Sequence, residues 1–218
     1  MLSRKSKKLF YRMAGPLMAA NAIAYRRFRA PRQGTVKVQL GPGQRNYLPG
    51  WTNVDANIFT GKADLWADLR RPLPFLDASV DCFYSHHVVE HLPDLRKHFS
   101  EIFRCLKGHG AYRVGGPNGD LAIRKFLEGD SSWFSDFPEA RRSLGGRLEN
   151  FIFCRGEHLT ILTFSFLEEL LIDAGFVNIQ RCIPTESRLP RYFNECLSLE
   201  GDSDFSAPHT LIVEAEKP

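Results

Sequence analysis

The chain has 218 residues, 43% hydrophobic and 12% aromatic, with 29 Lys/Arg against 25 Asp/Glu. That length suits one domain with an appendage rather than two full domains, and seventeen Phe exclude an intrinsically disordered chain, which would lack aromatics. A net charge of only +4, with no RNA-module motif, argues against a nucleic-acid partner.

The charge is unevenly spread. Residues 1–30 carry eight Lys/Arg (Arg4, Lys5, Lys7, Lys8, Arg12, Arg26, Arg27, Arg29) and no acid, so a basic arm precedes a mildly acidic remainder. Within it the apolar stretch Met13–Ala24 is shorter than the roughly 18 residues a membrane span needs. Phe10, Met13, Leu17, Ala20 and Ala24 recur at near-helical spacing, as in a basic amphipathic helix that lies on an anionic membrane surface or packs on the domain. A cleaved signal is the alternative, because Ala20-Asn21-Ala22 and Ala22-Ile23-Ala24 have the small-x-small form. Gly15-Pro16, which interrupts the apolar run, weighs against it.

Pro31–Gly34 reads as a linker, so the arm occupies residues 1–34 and the domain 35–218. Strand and helix patterns then alternate, the mark of an α/β fold with a parallel sheet. Strands are expected at Val36–Leu40, Trp51–Val54, Asp64–Trp66, Val80–Ser85, Gly110–Val114, Phe176–Ile183 and Thr210–Ala215. Leu92, Leu95, Phe99, Ile102, Phe103 and Leu106 follow helical spacing up to a stop at Gly108. A second helix is expected from a capping box of Ser165 and Glu168 to a C-cap at Gly175. Residues 118–163 read as an irregular insertion covering the site.

The five cysteines (Cys82, Cys105, Cys154, Cys182, Cys196) are odd in number and scattered, and none forms a C-x-x-C pair. They predict a reducing compartment without disulfides, and no metal site.

Candidate chemistry lies at strand ends. Leu40-Gly41-Pro42-Gly43 turns out of the first strand with glycines that let backbone approach a ligand. Asp55, just after the second strand, is placed to accept from the hydroxyls of a ribose. Asp68 and the Leu69 backbone, in Ala-Asp-Leu, offer an acceptor and a donor to an adenine edge. Ser85, His86 and His87 follow the fourth strand.

In this order the phrases LGPG, GWTNVD, ADLRRPLPFLDASVD and SHHVVEHL, with LEELLIDAGF later, resemble the class I S-adenosylmethionine (SAM)-dependent methyltransferases in a compact branch. The resemblance implies a Rossmann-like, seven-stranded, mostly parallel sheet with helices on both faces and the last strand antiparallel. It implies that Leu40, Gly41 and Gly43 cradle the methionine part of SAM. Asp55 would hold the ribose, Asp68 and Leu69 would read adenine, and Ser85 and His86 would line the pocket. Two departures stand out: Gln39 and Arg45 replace an acid and a third glycine, and Asn46–Gly50 replaces a full crossover helix.

Methyl transfer from a sulfonium needs alignment rather than a metal. A base matters when the acceptor must lose a proton, and His86, His87 and His158 are the candidates. Glu90 and His91 fall before a helix and read as capping or supporting residues. The region of Trp133, Phe134, Phe137, Arg141, Arg142, Arg147 and Arg155 suits a sugar, an anionic group or a lipid head, or is a surface with solvated Arg. The expectation is a cytoplasmic methyltransferase, peripheral at a membrane, acting on a small-molecule or glycan-type acceptor. A non-catalytic SAM-fold binding protein is the alternative. A nicotinamide-dependent oxidoreductase is disfavoured, because G-x-G-x-x-G is absent.

Overall fold

The computed structural model describes residues 4–31, 33–57, 59 and 61–218, and of residues 4–8 the backbone alone. The basic side chains at positions 4, 5, 7 and 8 therefore lie outside the described residues, as does residue 32 of the linker. Seven strands form one sheet: β1 (Lys37–Leu40), β2 (Thr52–Asp55), β3 (Leu65–Trp66), β4 (Val80–His86), β5 (Leu106–Pro117), β6 (Val177–Cys182) and β7 (Thr210–Glu216). Their order is β3-β2-β1-β4-β5-β7-β6. β1 to β5 pair in parallel, and β7 runs antiparallel between β5 and β6. The order reverses between β1 and β4, and in open α/β sheets that switch point opens a crevice at the carboxyl ends of the strands.

Helices α2 (Leu95–Cys105) and α5 (Phe164–Ala174) pack on one face. Phe99 and Ile102 of α2, and Leu167 and Leu171 of α5, share a core with Phe83, Tyr112 and Val114. Alternation along β4 and β5 sends Cys82, Tyr84 and Ala111 to the other face. There they meet Phe193 and Cys196, in and just after the short helix α6 (Pro190–Phe193). Arg113, on that second face, is fully buried. It pairs with Glu200 and with Glu214 of β7, tying the return segment to the sheet.

Several sequence expectations are corrected. Helix α2 ends at Cys105, before Gly108, because other groups take its last carbonyls: Lys217 Nζ donates to Phe103 O and Leu106 O at 2.7 and 2.8 Å. Ala78 and Ser79 N–H take Arg104 O and Cys105 O. Strand β5 then starts at once, four residues earlier than Gly110. Helix α5 is capped by Thr163, whose extended backbone lets its hydroxyl accept from Phe166 N–H at 3.3 Å, so Ser165 lies inside the helix. Gly175 does end it, in the left-handed conformation (φ 102°). Residues 118–163 are not wholly irregular: they hold α3 (Gly119–Leu127) and α4 (Leu144–Phe153), capped by Asn118 and Ser143.

The short crossover between β1 and β2 holds its shape through Asn53, whose buried amide bonds Leu48 N–H, Leu48 O, Trp51 O and Asp64 Oδ2. One polar side chain thus satisfies the backbone that a helix would otherwise satisfy itself. The arm forms α1 (Arg4–Ala24) and packs against β3: Ala14 and Met18 bury against Ala56 and Trp66, and Asn21 Nδ2 donates to Trp66 O at 2.8 Å. Of the stripe that could meet either a membrane or the domain, Met13 and Leu17 face outward.

Candidate active site

The Gly-Pro-Gly turn sits at the switch point. Gly41 is left-handed (φ 66°), and a Cβ there would meet Val88 Cγ2 at 2.5 Å, so position 41 excludes any side chain. Its N–H donates to Val54 O at 2.8 Å. Asp55 receives Gly43 N–H at 3.0 Å and Asn57 N–H at 2.8 Å, one on each oxygen, which aims its carboxylate over the turn. Each oxygen keeps a lone pair for a further donor. Leu40 lies fully buried beneath, its side chain in the core.

Asp68 is buried and bidentate with Arg70: Nε to Oδ1 at 2.8 Å, Nη2 to Oδ2 at 2.7 Å. Burial alone would raise its carboxyl, but the Arg70 hydrogen bonds outweigh burial and hold it below the usual range. The Arg70 guanidinium lies 3.5 Å from the centre of the Tyr11 ring of α1, so the helix roofs this corner. Leu69 O accepts from Nδ1 of the buried His98 at 3.3 Å. Ser85 is buried, its hydroxyl 2.8 Å from Tyr112 OH rather than open to a pocket.

On the β4–β5 side of the crevice lies a cavity of about 690 Å³. His87, Glu90 and His91 line one wall, Phe137, Pro138, Phe151 and His158 the cover, and Asp202, His209 and Thr210 the entry to β7. Glu90, in the 3-10 turn Val89–His91, has no exposure, and its backbone O accepts Leu159 N–H at 2.7 Å. His87 Nδ1 lies 3.2 Å from Glu90 Oε1, and His87 Nε2 3.1 Å from Thr210 Oγ1. Burial pushes the Glu90 carboxyl up, but the His87 hydrogen bond and the adjoining imidazoles of His87 and His91 outweigh it and hold it down. His158 Nδ1 donates to Ile152 O at 2.9 Å, and burial holds the ring below the ordinary histidine range, so Nε2 carries a lone pair.

The candidate histidines therefore separate. His87 and His158 face the cavity. His86 does not line it: it stacks on Tyr84 with ring centres 6.2 Å apart, its Nε2 lacks a partner, and burial pushes it down to about 3. Sequence reading assigned Glu90 a supporting role and passed over Asp202 and His209. The available signal was the spacing His87-x-x-Glu90-His91, which puts all three on one side of a single turn. Around the cavity, Arg141, Arg147 and Arg155 pair with Glu139 or Glu149, with Asp136, and with Glu139 in turn. Trp133 stacks on His209 with ring centres 4.4 Å apart.

A family model described as a methyltransferase domain matches residues 53–114, from β2 to β5. A probable S-adenosylmethionine-dependent methyltransferase of Mycobacterium tuberculosis is 32% identical over 110 residues, which are 50% of this chain and 31% of that protein. The chain thus spans less than a third of the length of the curated relative it matches. A SAM-dependent methyltransferase from Archaeoglobus fulgidus shares the fold with a TM-score of 0.56 at 17% identity, over 97% of this chain and 99% of that one. One from Thermotoga maritima does so at 0.54 and 15%, over 99% and 96%. The chain thus has the fold of these SAM-dependent methyltransferases, and its β2–β5 segment matches the methyltransferase-domain model.

His98 gives stability a pH dependence. Its ring is buried and pushed down to about 4, with Nε2 unpartnered, whereas in the unfolded chain a histidine titrates near ~6.5. As pH falls below ~6.5 the unfolded chain takes up a proton that the folded one refuses. Stability is thus full above that value and declines toward pH ~4. By pH ~5 the loss from this residue is roughly 2 kcal/mol. Urea unfolding at pH ~7.5 and ~5 measures it, and His98→Asn should flatten the difference by about that amount; an unchanged difference contradicts the assignment.

Proposed function

We propose that this chain transfers a methyl group from SAM to a small-molecule or glycan-type acceptor held in the 690 Å³ cavity. One observation carries the reading: the two half-sites share the end of β4. Val88, which closes against Gly41, lies directly between His87 and the turn that carries Glu90. SAM laid over the glycine turn, with its ribose on Asp55 and its adenine toward Asp68 and Leu69, directs its sulfonium to that shared point. For adenine to reach Asp68, Arg70 gives up part of its hold, and the remaining lone pairs of the carboxylate allow it.

The chemistry asks little beyond this. The acceptor atom attacks the methyl carbon in line with the breaking carbon–sulfur bond, and S-adenosylhomocysteine leaves as a neutral thioether. Holding the reactants aligned supplies most of the acceleration. A hydroxyl acceptor must also lose its proton, and the free Nε2 of His158 is the group that takes it. His87, fixed between Glu90 and Thr210, orients the acceptor. Aromatic walls from Phe137 and Phe151 beside Asp202 and His209 suit a ligand with both apolar and hydroxylated parts.

Calorimetry with SAM and S-adenosylhomocysteine tests the reading. Micromolar binding is expected, weakened roughly 10-fold or more in Asp55→Ala, the cost of a charged hydrogen-bond acceptor. No binding of either ligand by folded protein overturns the enzyme. It favours a non-catalytic SAM-fold binding protein, the reading to which the Asp68–Arg70 closure lends support.

We further propose that α1 rests on an anionic membrane surface. Among the described residues no helix is long and apolar enough to cross a membrane. Yet Leu9, Met13 and Leu17, spaced by four, are 57%, 69% and 63% exposed, beside Arg12 on a basic helix. Phosphatidylglycerol vesicles should float the chain and neutral ones should not, and Met13→Glu/Leu17→Glu should abolish flotation. Equal flotation by that variant, or none by the parent chain, contradicts the proposal.

A further inference from the structure

The cavity wall contains a charge imbalance that protein groups leave unresolved. Glu90 Oε1 lies 3.9 Å from His91 Nε2 and 4.0 Å from His158 Nε2. Both imidazoles are fixed from behind. His91 Nδ1 lies 3.0 Å from Glu157 O, and His158 Nδ1 lies 2.9 Å from Ile152 O. A carbonyl oxygen only accepts, so each Nδ1 carries the proton, and in that neutral tautomer a ring turns its Nε2 lone pair toward the carboxylate. The separations are too long for hydrogen bonds. Three electron-pair donors, all within 4.8 Å of one another, thus converge with no proton between them.

The carboxylate they surround is itself under-compensated. Glu90 has no exposure, His87 is its hydrogen-bonded side-chain partner, and Oε2 has no partner at all. A buried carboxylate facing two lone pairs is costly unless a positive charge joins it. We propose that Glu90 Oε1, His91 Nε2 and His158 Nε2 bind a divalent transition-metal ion of the zinc class, with its open coordination position facing the acceptor cavity.

The donor set selects the ion. Two imidazole nitrogens and one carboxylate oxygen suit zinc, cobalt, nickel or ferrous iron, whereas magnesium and calcium take oxygen ligands. Carbonyl partners on the far nitrogens are the arrangement that holds metal-bound histidines in the right tautomer. Bonds of about 2.1 Å in tetrahedral geometry put donors about 3.4 Å apart. The two Glu90–imidazole separations must therefore close by about half an ångström and the two imidazoles, within 4.8 Å of each other, by at most about 1.4 Å, a shift open to His91, whose side chain is 41% exposed. The absence of paired cysteines, which pointed away from metal in the sequence, does not bear on a site built from histidine and glutamate.

The ion site stands without the methyl-transfer reading; what the ion does rests on that reading. An acceptor hydroxyl completing the coordination is acidified by the ion. With both Nε2 lone pairs taken as ligands, the ion replaces His158 in activating the acceptor, and the hydroxyl proton, made acidic by the ion, passes to solvent water as the oxygen–methyl bond forms and the carbon–sulfur bond breaks.

The full chain, stripped with a chelator, equilibrated with Zn²⁺ and desalted, tests the site by elemental analysis. About one equivalent should stay with the parent chain. His91→Gln and His158→Gln should each weaken retention on the order of 100-fold or more, with far-UV circular dichroism unchanged. Co²⁺ in place of Zn²⁺ should give visible absorption bands in the parent chain alone. Should His158→Gln fail to fold, the more exposed His91→Gln decides. No retained zinc and no cobalt bands in the parent chain overturn the proposal, as does full retention by a folded variant. SAM binding to the stripped chain, measured separately, shows whether the cofactor reading fails with it.

Discussion

A carboxylate without access to water must be met by donors or cations, and Glu90 is where this chain accepts that constraint. Its oxygens draw His87 from the end of β4 and lie beside His91 and His158. Its backbone carbonyl receives Leu159. The cover that follows α4 is thereby fastened to the tip of the sheet, with His91 Nδ1 against Glu157 O beside it, and the cavity lies between them. Large fixed charges elsewhere are neutralised internally, as Arg113 is by Glu200 and Glu214. Glu90 keeps an oxygen unpaired, and it does so beside the open space.

The opposite end of the crevice follows a different logic. There Asp68 is satisfied by Arg70, and Arg70 is roofed by Tyr11 of α1. A cofactor base entering this corner competes with a guanidinium rather than with water. The arm that supplies the roof also carries the exposed apolar stripe. The exposed stripe and the roof over Arg70 are thus two faces of one helix.

Much of this was legible in the sequence because it rests on local rules. Strand–turn–acid order gave β1 with its glycines and β2 with Asp55, and α2 and α5 followed from their apolar spacing. The errors arose where distant groups settle local structure. Lys217, from the chain's end, stops α2 early, and Thr163 captures the cap that Ser165 and Glu168 seemed to offer. Spacing could not decide which side of α1 meets the domain, and α1 meets β3 with Ala14 and Met18 rather than with Met13 and Leu17. The Glu90 cluster was out of reach for the same reason. Three of its members stand within five residues, but His158 arrives from beyond α3 and α4, and no spacing rule connects it to them.

The most direct test of the account is a crystal structure of the chain with S-adenosylhomocysteine. The account predicts the sugar on Asp55, Arg70 displaced from part of Asp68, and the thioether sulfur over the Gly41 turn, opening toward His87 and His158. A ligand bound with its sulfur turned away from that cavity, or bound elsewhere than the carboxyl ends of β1, β2 and β4, would contradict it.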